Sequence, residues 1–315
     1  MTAVAEVVSD ALPVPGAERK PLGRRRRIDP ANALLAVWGV LGFLFLFFPV
    51  LVIVAYSTNT GRLLQSYQGF GFNAYVDALS NSAITDAVTV SLYVAVFSAL
   101  VSAVLGSLAG VAMARRAGKA WIGWMTALLG LVLVTPEIVN GVSLLPWFVT
   151  LGTDLGLTPV NSGLVRLIIA NSLFSCAVVT FIVRARMAGL SQSLEEAAAD
   201  LGAPPVRRFL DITFPLMRPA VISGTLLAFT LSLDNTVLSS FVSTADATPW
   251  PVYVFASVRS TLRPSIAAMS TLMLLLTLVA LALVALVLFR ARKVTGDGAG
   301  LAATLAGGGG GVGGN

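Results

Sequence analysis

Hydrophobic positions fall along this chain in long unbroken runs, not in the alternating or amphipathic patterns of a water-soluble domain. Crossing about 30 Å of hydrocarbon takes roughly 20 helical residues. Six runs reach that length, at about 32–56, 87–114, 121–151, 163–185, 219–242 and 267–290. Unpaired backbone polar groups are too costly in lipid, so each run predicts a helix, and alternating barrel strands are absent from the pattern. The third run is long and interrupted by Pro136 and Pro146. A proline removes a helical hydrogen bond and clashes with the preceding turn, which predicts a kink or an unwound stretch lining a cavity. Between the fourth and fifth runs lies a polar island, "EEAAADLGAPPVRRFLDITFPLMRP" (Glu195–Pro219). The expected fold class is an all-α membrane protein with six transmembrane helices.

Composition agrees and adds exclusions. The 315 residues are 56% hydrophobic and 11% charged, with a mean hydropathy of +0.86, whereas soluble domains carry roughly 25% charged residues. There is no histidine, and Cys176 is the single cysteine. Disulfide frameworks, Cys/His zinc centres and a catalytic imidazole are therefore excluded, and Cys176, inside an apolar run, reads as packing. The glycine-rich end "GGGGGVGGN" lacks the Lys-Ser/Thr of a phosphate-binding loop, and no such loop occurs elsewhere. No catalytic residue, metal ligand set or cofactor is expected on this chain.

The net charge of +6 is distributed informatively. Seventeen basic residues lie in residues 1–30, at 115–119, in 184–218 and at 290–293, against Arg62, Arg259 and Arg263 in the alternate loops; Arg166 sits inside the fourth run. Such asymmetry sets orientation by the positive-inside rule, so both termini and the polar island are expected in the cytoplasm. It reads as topology and not as nucleic-acid binding. Residues 1–30 are expected to be a disordered basic cytoplasmic tail, 31–293 the six-helix domain with a cytoplasmic loop at 186–218, and 294–315 a glycine-rich disordered tail.

Within the loop, Ser193 and Glu196 have the spacing of a capping box. Leu194, Ala197, Ala198 and Leu201 form one apolar stripe, and Gly202 with Pro204–Pro205 ends the helix. The segment "VRRFLDITF" then leads through Pro215 and Pro219 into the fifth run. On residues alone, a short helix resting on lipid is one reading. A lipid-bound helix normally carries Lys and Arg on its polar face, however, and this one carries Glu195, Glu196 and Asp200. An acidic face beside a small apolar stripe suits a protein groove.

The order Glu196-Ala197-Ala198, three residues, Gly202, nine residues, Ile212-x-Phe214-Pro215 resembles the E-A-A-x3-G-x9-I-x-L-P signature of ABC importer permeases, with Phe214 for Leu the one departure. The resemblance implies a MetI-like ABC importer transmembrane domain in a bacterial inner membrane. Residues of about 187–215 would form coupling helices docked in a cleft of a cytoplasmic ATPase dimer, and that dimer would bind ATP and Mg. Glu196, Ala197 and Gly202 would be contact positions, with Glu195, Ala198, Leu201, Ile212 and Pro215 in the same loop. A second permease subunit and an extracytoplasmic substrate-binding protein are implied as well, the latter meeting outer loops near 57–86 and 243–266. The stretches "LLAFTLSLDNTVLSSFVS" (Leu226–Ser243), "PVYVFASVR" (Pro251–Arg259) and "TPEIVNGVSLL" (Thr135–Leu145) look like the second permease of polyamine importers, the spermidine/putrescine type, over roughly residues 33–290. That family often has two acids in the fifth-span motif, where this chain has Asp234 and Asn235.

Glu137 and Asp234 fall inside apolar runs, where a charge costs roughly 2.5–3.5 kcal/mol even on the lenient insertion scale and so faces the bundle interior. At about 1.5 Å per residue they lie ~24 Å and ~21 Å from the cytoplasmic ends of their runs, in the outer half of the membrane. Polar residues on both sides of the fifth run place it centrally. Glu137 and Asp234 are candidates to line a path for a cationic substrate, with Asn140 and Asn235 as hydrogen-bonding neighbours. Trp147, Trp250 and Tyr253 would offer cation–π faces. The competing readings are an Arg166 ion pair with one acid and an ordinary interfacial aromatic belt. Other solutes, including small cations such as ferric ion, are alternative cargoes. A proton-coupled secondary transporter is the rival class, but it has no need of the loop signature, and the internal repeats of such carriers are not seen. An intramembrane enzyme lacks any visible nucleophile–base arrangement.

Overall fold

The computed structural model describes residues 30–295 apart from 65, 116–117 and 260–261. The two expected tails lie, but for Pro30, Val294 and Thr295, outside the described residues. The chain divides into two compact units, residues 1–51 and 52–315. Helix α1, Pro30–Tyr56, is apolar from Ala33 to Ala55, and Phe43 stacks on Phe47 one turn later with ring centroids 4.3 Å apart.

In the second unit α2 (Asn73–Ser80) and α3 (Ser82–Arg115) are followed by α4 (Lys119–Val134), α5 (Glu137–Val149) and α6 (Gly163–Ala188). Next come two short helices, α7 (Ser193–Asp200) and α8 (Pro205–Arg208), then α9 (Phe214–Asp234), α10 (Val237–Val242), α11 (Trp250–Val258) and α12 (Pro264–Thr295). Among the described residues five helical stretches are long and apolar enough to cross a membrane, or six if α4 and α5 count as one bent span.

Helices α3 and α6 form the tightest pair, and it is parallel. Ser98 and Ser102 on α3 donate to the carbonyls of Ile168 and Ser172 at 3.2 and 3.3 Å, each pair 70 residues apart in sequence. One and two turns later Gly106 lies against Val179 and the Cys176 carbonyl, and Gly110 against Val183 and the Thr180 carbonyl. Lipid tails are as apolar as leucine, so spans associate by close backbone packing and interhelical hydrogen bonds, for which a Gly-x-x-x-Gly stripe is suited. A Cβ on Gly110 would sit 2.9 Å from the Thr180 carbonyl oxygen, a backbone atom with no freedom to yield. We expect Gly110→Leu to abolish recovery of monodisperse detergent-solubilised protein. The milder Gly106→Ala is expected to lose about 1–3 kcal/mol by overpacking, read as a lower melting temperature. Helix α9 packs against α3, α6 and α12, the central place indicated by its polar residues on both sides.

Two spans are broken. The third run divides at Thr135–Pro136, and its halves meet at 103°; Pro136, rather than Pro146, marks the break. The fifth run does not continue to residue 242. Helix α9 ends at Asp234, Asn235 turns to φ −72°, ψ 94°, and α10 starts at Val237. The Asn235 Oδ1 accepts the Leu238 N–H at 3.1 Å, satisfying a backbone donor at the start of α10. At its other end α9 is preceded by a π-helical stretch, Phe209–Thr213. Pro215 has no N–H for the Asp211 carbonyl and its ring crowds that group, so the backbone there widens instead of continuing as a regular helix.

The loop between α10 and α11 closes onto the start of α6. The Thr244 hydroxyl donates to Asp246 Oδ1 at 2.5 Å and the Gly163 N–H to Oδ2 at 3.3 Å. A side chain at Gly163 would strike Thr244 Oγ1 and Ala247. The Thr244 bond first, with the backbone donors and the Arg166 charge, holds the Asp246 carboxyl below its ordinary value. A depressed folded-state pKa gives stabilisation that is present above the unfolded value of about 3.9 and lost as pH falls through the folded value. The protection of residues 243–249 against amide exchange, after correction for the intrinsic pH dependence of exchange, is expected to fall as pH drops below the ordinary carboxylate range. In Asp246→Asn that pH dependence should vanish.

Candidate functional site

The polar island folds as a helix, a hard turn and a second short segment. Ser193 is the first residue of α7, not its cap, and the expected capping box with Glu196 does not form. The Ser193 N–H is instead satisfied by Ser191 Oγ at 3.2 Å, and the two hydroxyls lie 2.7 Å apart. Glu196 is therefore left exposed. Helix α7 ends in a Schellman turn: the Ala203 N–H donates to the Ala198 carbonyl and the Gly202 N–H to Ala199, both at 2.9 Å. Gly202 has φ +80°, a left-handed conformation that glycine adopts without a Cβ penalty. Pro204 and Pro205 then start α8.

Adjacent glutamates on α7 point about 100° apart and take different roles. Glu195 turns into the protein, where its Oε1 accepts from Arg115 Nη2 at 2.8 Å and from the Thr213 hydroxyl at 2.7 Å. Glu196 and Ala197 face outward, and Ala198, Ile212 and Pro215 are half-buried. Leu201 is 88% exposed, and Leu194, Val206 and Leu210 are also exposed. The loop thus presents an apolar strip bordered by acid, with none of α7 buried.

The two acids of the apolar runs, Glu137 and Asp234, sit at the two helix breaks. Glu137 opens α5, directly after Pro136, where the helix dipole favours a carboxylate. Along the same helix Asn140 is half-buried and Trp147 exposed, and Gly141 lets the Phe241 ring of α10 approach closely. Asp234 is the last residue of α9. There the dipole opposes a carboxylate, and the final turn's carbonyls lack helical partners, so the spot is strongly electronegative. Asp234 is exposed and borders a cavity of about 310 Å³ together with Thr236, Trp250, Ser270, Met273 and Thr277. Tyr253 stacks on Trp250 with centroids 5.7 Å apart.

The structure therefore groups Asp234 with Trp250 and Tyr253, while Glu137, Asn140 and Trp147 lie on α5, outside that cavity. Asn235 is buried and spends its oxygen on α10. Arg166 donates to the Val160 carbonyl at 2.7 Å and to neither acid. Among the described residues the one ion pair is Arg115–Glu195, so both acids lack a cation. Arg115, Thr213 and the polar cavity residues Thr236, Ser270 and Thr277 were not marked by local pattern. Arg115 counted only as one of the topology-setting charges.

At the opposite end of α3, Asn59 organises the loop before α2. Its Nδ2 donates to the Ser66 carbonyl at 2.9 Å, and its Oδ1 accepts the N–H groups of Gly61 and Gln68 at 3.1 and 2.9 Å. This loop, with α2 and the start of α12, encloses a cavity of about 980 Å³ whose lining includes Arg62, Asp77 and Arg263.

Residues 104–293, which include both the loop and Asp234, match the family model described as binding-protein-dependent transport system inner membrane component. The putrescine transport system permease protein PotI of Escherichia coli K12 is 38% identical over 235 residues, 75% of this chain and 83% of that one. The spermidine/putrescine transport system permease protein PotC of Haemophilus influenzae is 34% identical over 238 residues, 75% of this chain and 89% of that one. In fold, the chain is similar to one from a bacterial ABC transporter involved in import of the acidic polysaccharide alginate. That match has a TM-score of 0.60 and covers 84% of this chain and 98% of that chain, at 17% identity. The chain belongs to the family of binding-protein-dependent transport system inner membrane components.

Proposed function

We propose that this chain is the non-catalytic permease subunit of an ATP-driven importer of polyamines. The observation that carries the reading is the α7–α8 surface, where Glu196, Leu201 and Val206 are all exposed and α7 buries none of its own residues. Such a surface suits a groove on a cytoplasmic ATPase dimer, which would hold the ATP and Mg. Closure of that dimer moves the loop, and the spans alternate between facing outward and inward. With both termini cytoplasmic, the cavity near Arg62 and Arg263 and the loops at 57–86 and 243–266 face outward, where a substrate-binding protein delivers cargo. A second permease completes the pathway. The electronegative end of α9 at Asp234 suits a cationic cargo, in keeping with the putrescine and spermidine named for the two relatives above. Reconstitution with the ATPase, the second permease and the binding protein tests this. Putrescine uptake should require both internal ATP and the binding protein. Uptake driven by a pH gradient through this chain alone would overturn it.

A further inference from the structure

We infer that Glu195 is a positioning residue, a latch that passes the movement of α7 into the bundle through Arg115 on one side and Thr213 on the other. The inference rests on the ATP-driven reading above. A single carboxylate oxygen joins three elements: α7, which carries it, the last residue of α3 at 2.8 Å, and the last residue of the π-helical stretch before α9 at 2.7 Å. Helix α7 buries none of its residues, so hydrophobic packing does little to hold it against the bundle. The polar contact is its principal side-chain tie. The two charged side chains are 17% and 24% exposed, which limits screening by salt, and charge-assisted bonds of this length are about twice as strong as neutral ones.

What lies behind each partner gives the latch its reach. Arg115 ends the helix whose Gly106 and Gly110 lock it to α6, so a pull on Arg115 moves α3 and α6 together. Thr213 leads directly into α9, whose far end is Asp234. One atom thus links the loop to both the most tightly packed helix pair and the helix bearing the intramembrane acid. A cavity of about 230 Å³ beside the contact, lined by Val111, Pro205, Arg208 and Phe209 as well as the three latch residues, leaves room for the loop to shift. Glu196 on the outer face then takes the partner's force, and Glu195 on the inner face delivers it.

The test is the coupling ratio, substrate moved per ATP hydrolysed, in the complete reconstituted transporter. Glu195→Ala should lower transport about tenfold while ATPase co-purification and hydrolysis stay within about twofold. Glu195→Gln, which keeps an acceptor for Thr213, should fall between Glu195→Ala and the unaltered chain. The double exchange Glu195→Arg with Arg115→Glu should recover part of the ratio. A merely structural role predicts parallel loss of binding, hydrolysis and transport with the ratio unchanged, and that result overturns the latch. Unchanged transport in Glu195→Ala overturns it too, leaving the ATP-driven reading intact. If the unaltered complex shows no ATP-dependent uptake, that reading and the latch fail together.

Discussion

Glu196→Arg is expected to abolish ATP-driven uptake while membrane insertion and pairing with the second permease stay normal. Glu196 is exposed in the second position of the acidic pair, and among the described residues the one ion pair belongs to its neighbour Glu195. A role in folding would give it an internal partner, as Glu195 has in Arg115. Reversing a charge at a docked, desolvated position leaves a like-charge or unpaired group in the interface, at a cost of about 2–5 kcal/mol, or roughly 30-fold or more in affinity. Co-purification of the ATPase with the variant should fall accordingly, and uptake with it. Glu196→Ala, which removes the charge without reversing it, should show a smaller loss. Normal uptake by Glu196→Arg would remove this residue from the docking surface.

Asp234→Asn is expected to raise the putrescine concentration for half-maximal uptake by about tenfold or more, the loss of one charged hydrogen bond of about 1.5–3 kcal/mol. The side chain keeps its shape, so the change is electrostatic. Its effect should exceed that of Glu137→Gln for a physical reason: Glu137 stands at a helix start whose dipole offsets its charge, whereas Asp234 stands at a helix end whose dipole adds to it. The binding protein should bind substrate as before. An unchanged half-saturation value in Asp234→Asn would place the path elsewhere.

The spans were legible because twenty consecutive apolar residues are too many for one soluble core helix to bury and enough to cross the hydrocarbon. The break at Pro136 was legible because proline acts on the backbone directly. The end of the fifth span was not. Asp234 and Asn235 sit inside an apolar run, and only the fold shows that Asn235 turns back to cap α10. Gly202 announced the end of α7 through its own conformational freedom. The capping box failed because the helix starts at Ser193 itself and the Ser191 hydroxyl, two residues earlier, takes the Ser193 N–H. The inward turn of Glu195 was not legible either, since its partner Arg115 lies eighty residues earlier. The cavity at Asp234 draws Trp250 from α11 and Ser270, Met273 and Thr277 from α12, a gathering that no local spacing encodes. The Gly106–Gly110 pair lies among other small residues of its run, and only the fold shows that both face α6.

The most direct measurement places a thiol on the loop's outer face. In a Cys176→Ala background, Leu201→Cys puts that thiol where the native side chain is 88% exposed, and the assembled transporter is treated with a short reagent carrying a maleimide at one end and a photoreactive diazirine at the other. The docking account predicts a covalent permease–ATPase adduct whose yield changes when ATP is added, together with protection of that position from a water-soluble maleimide. Equal labelling with and without the ATPase, and no adduct, would contradict it.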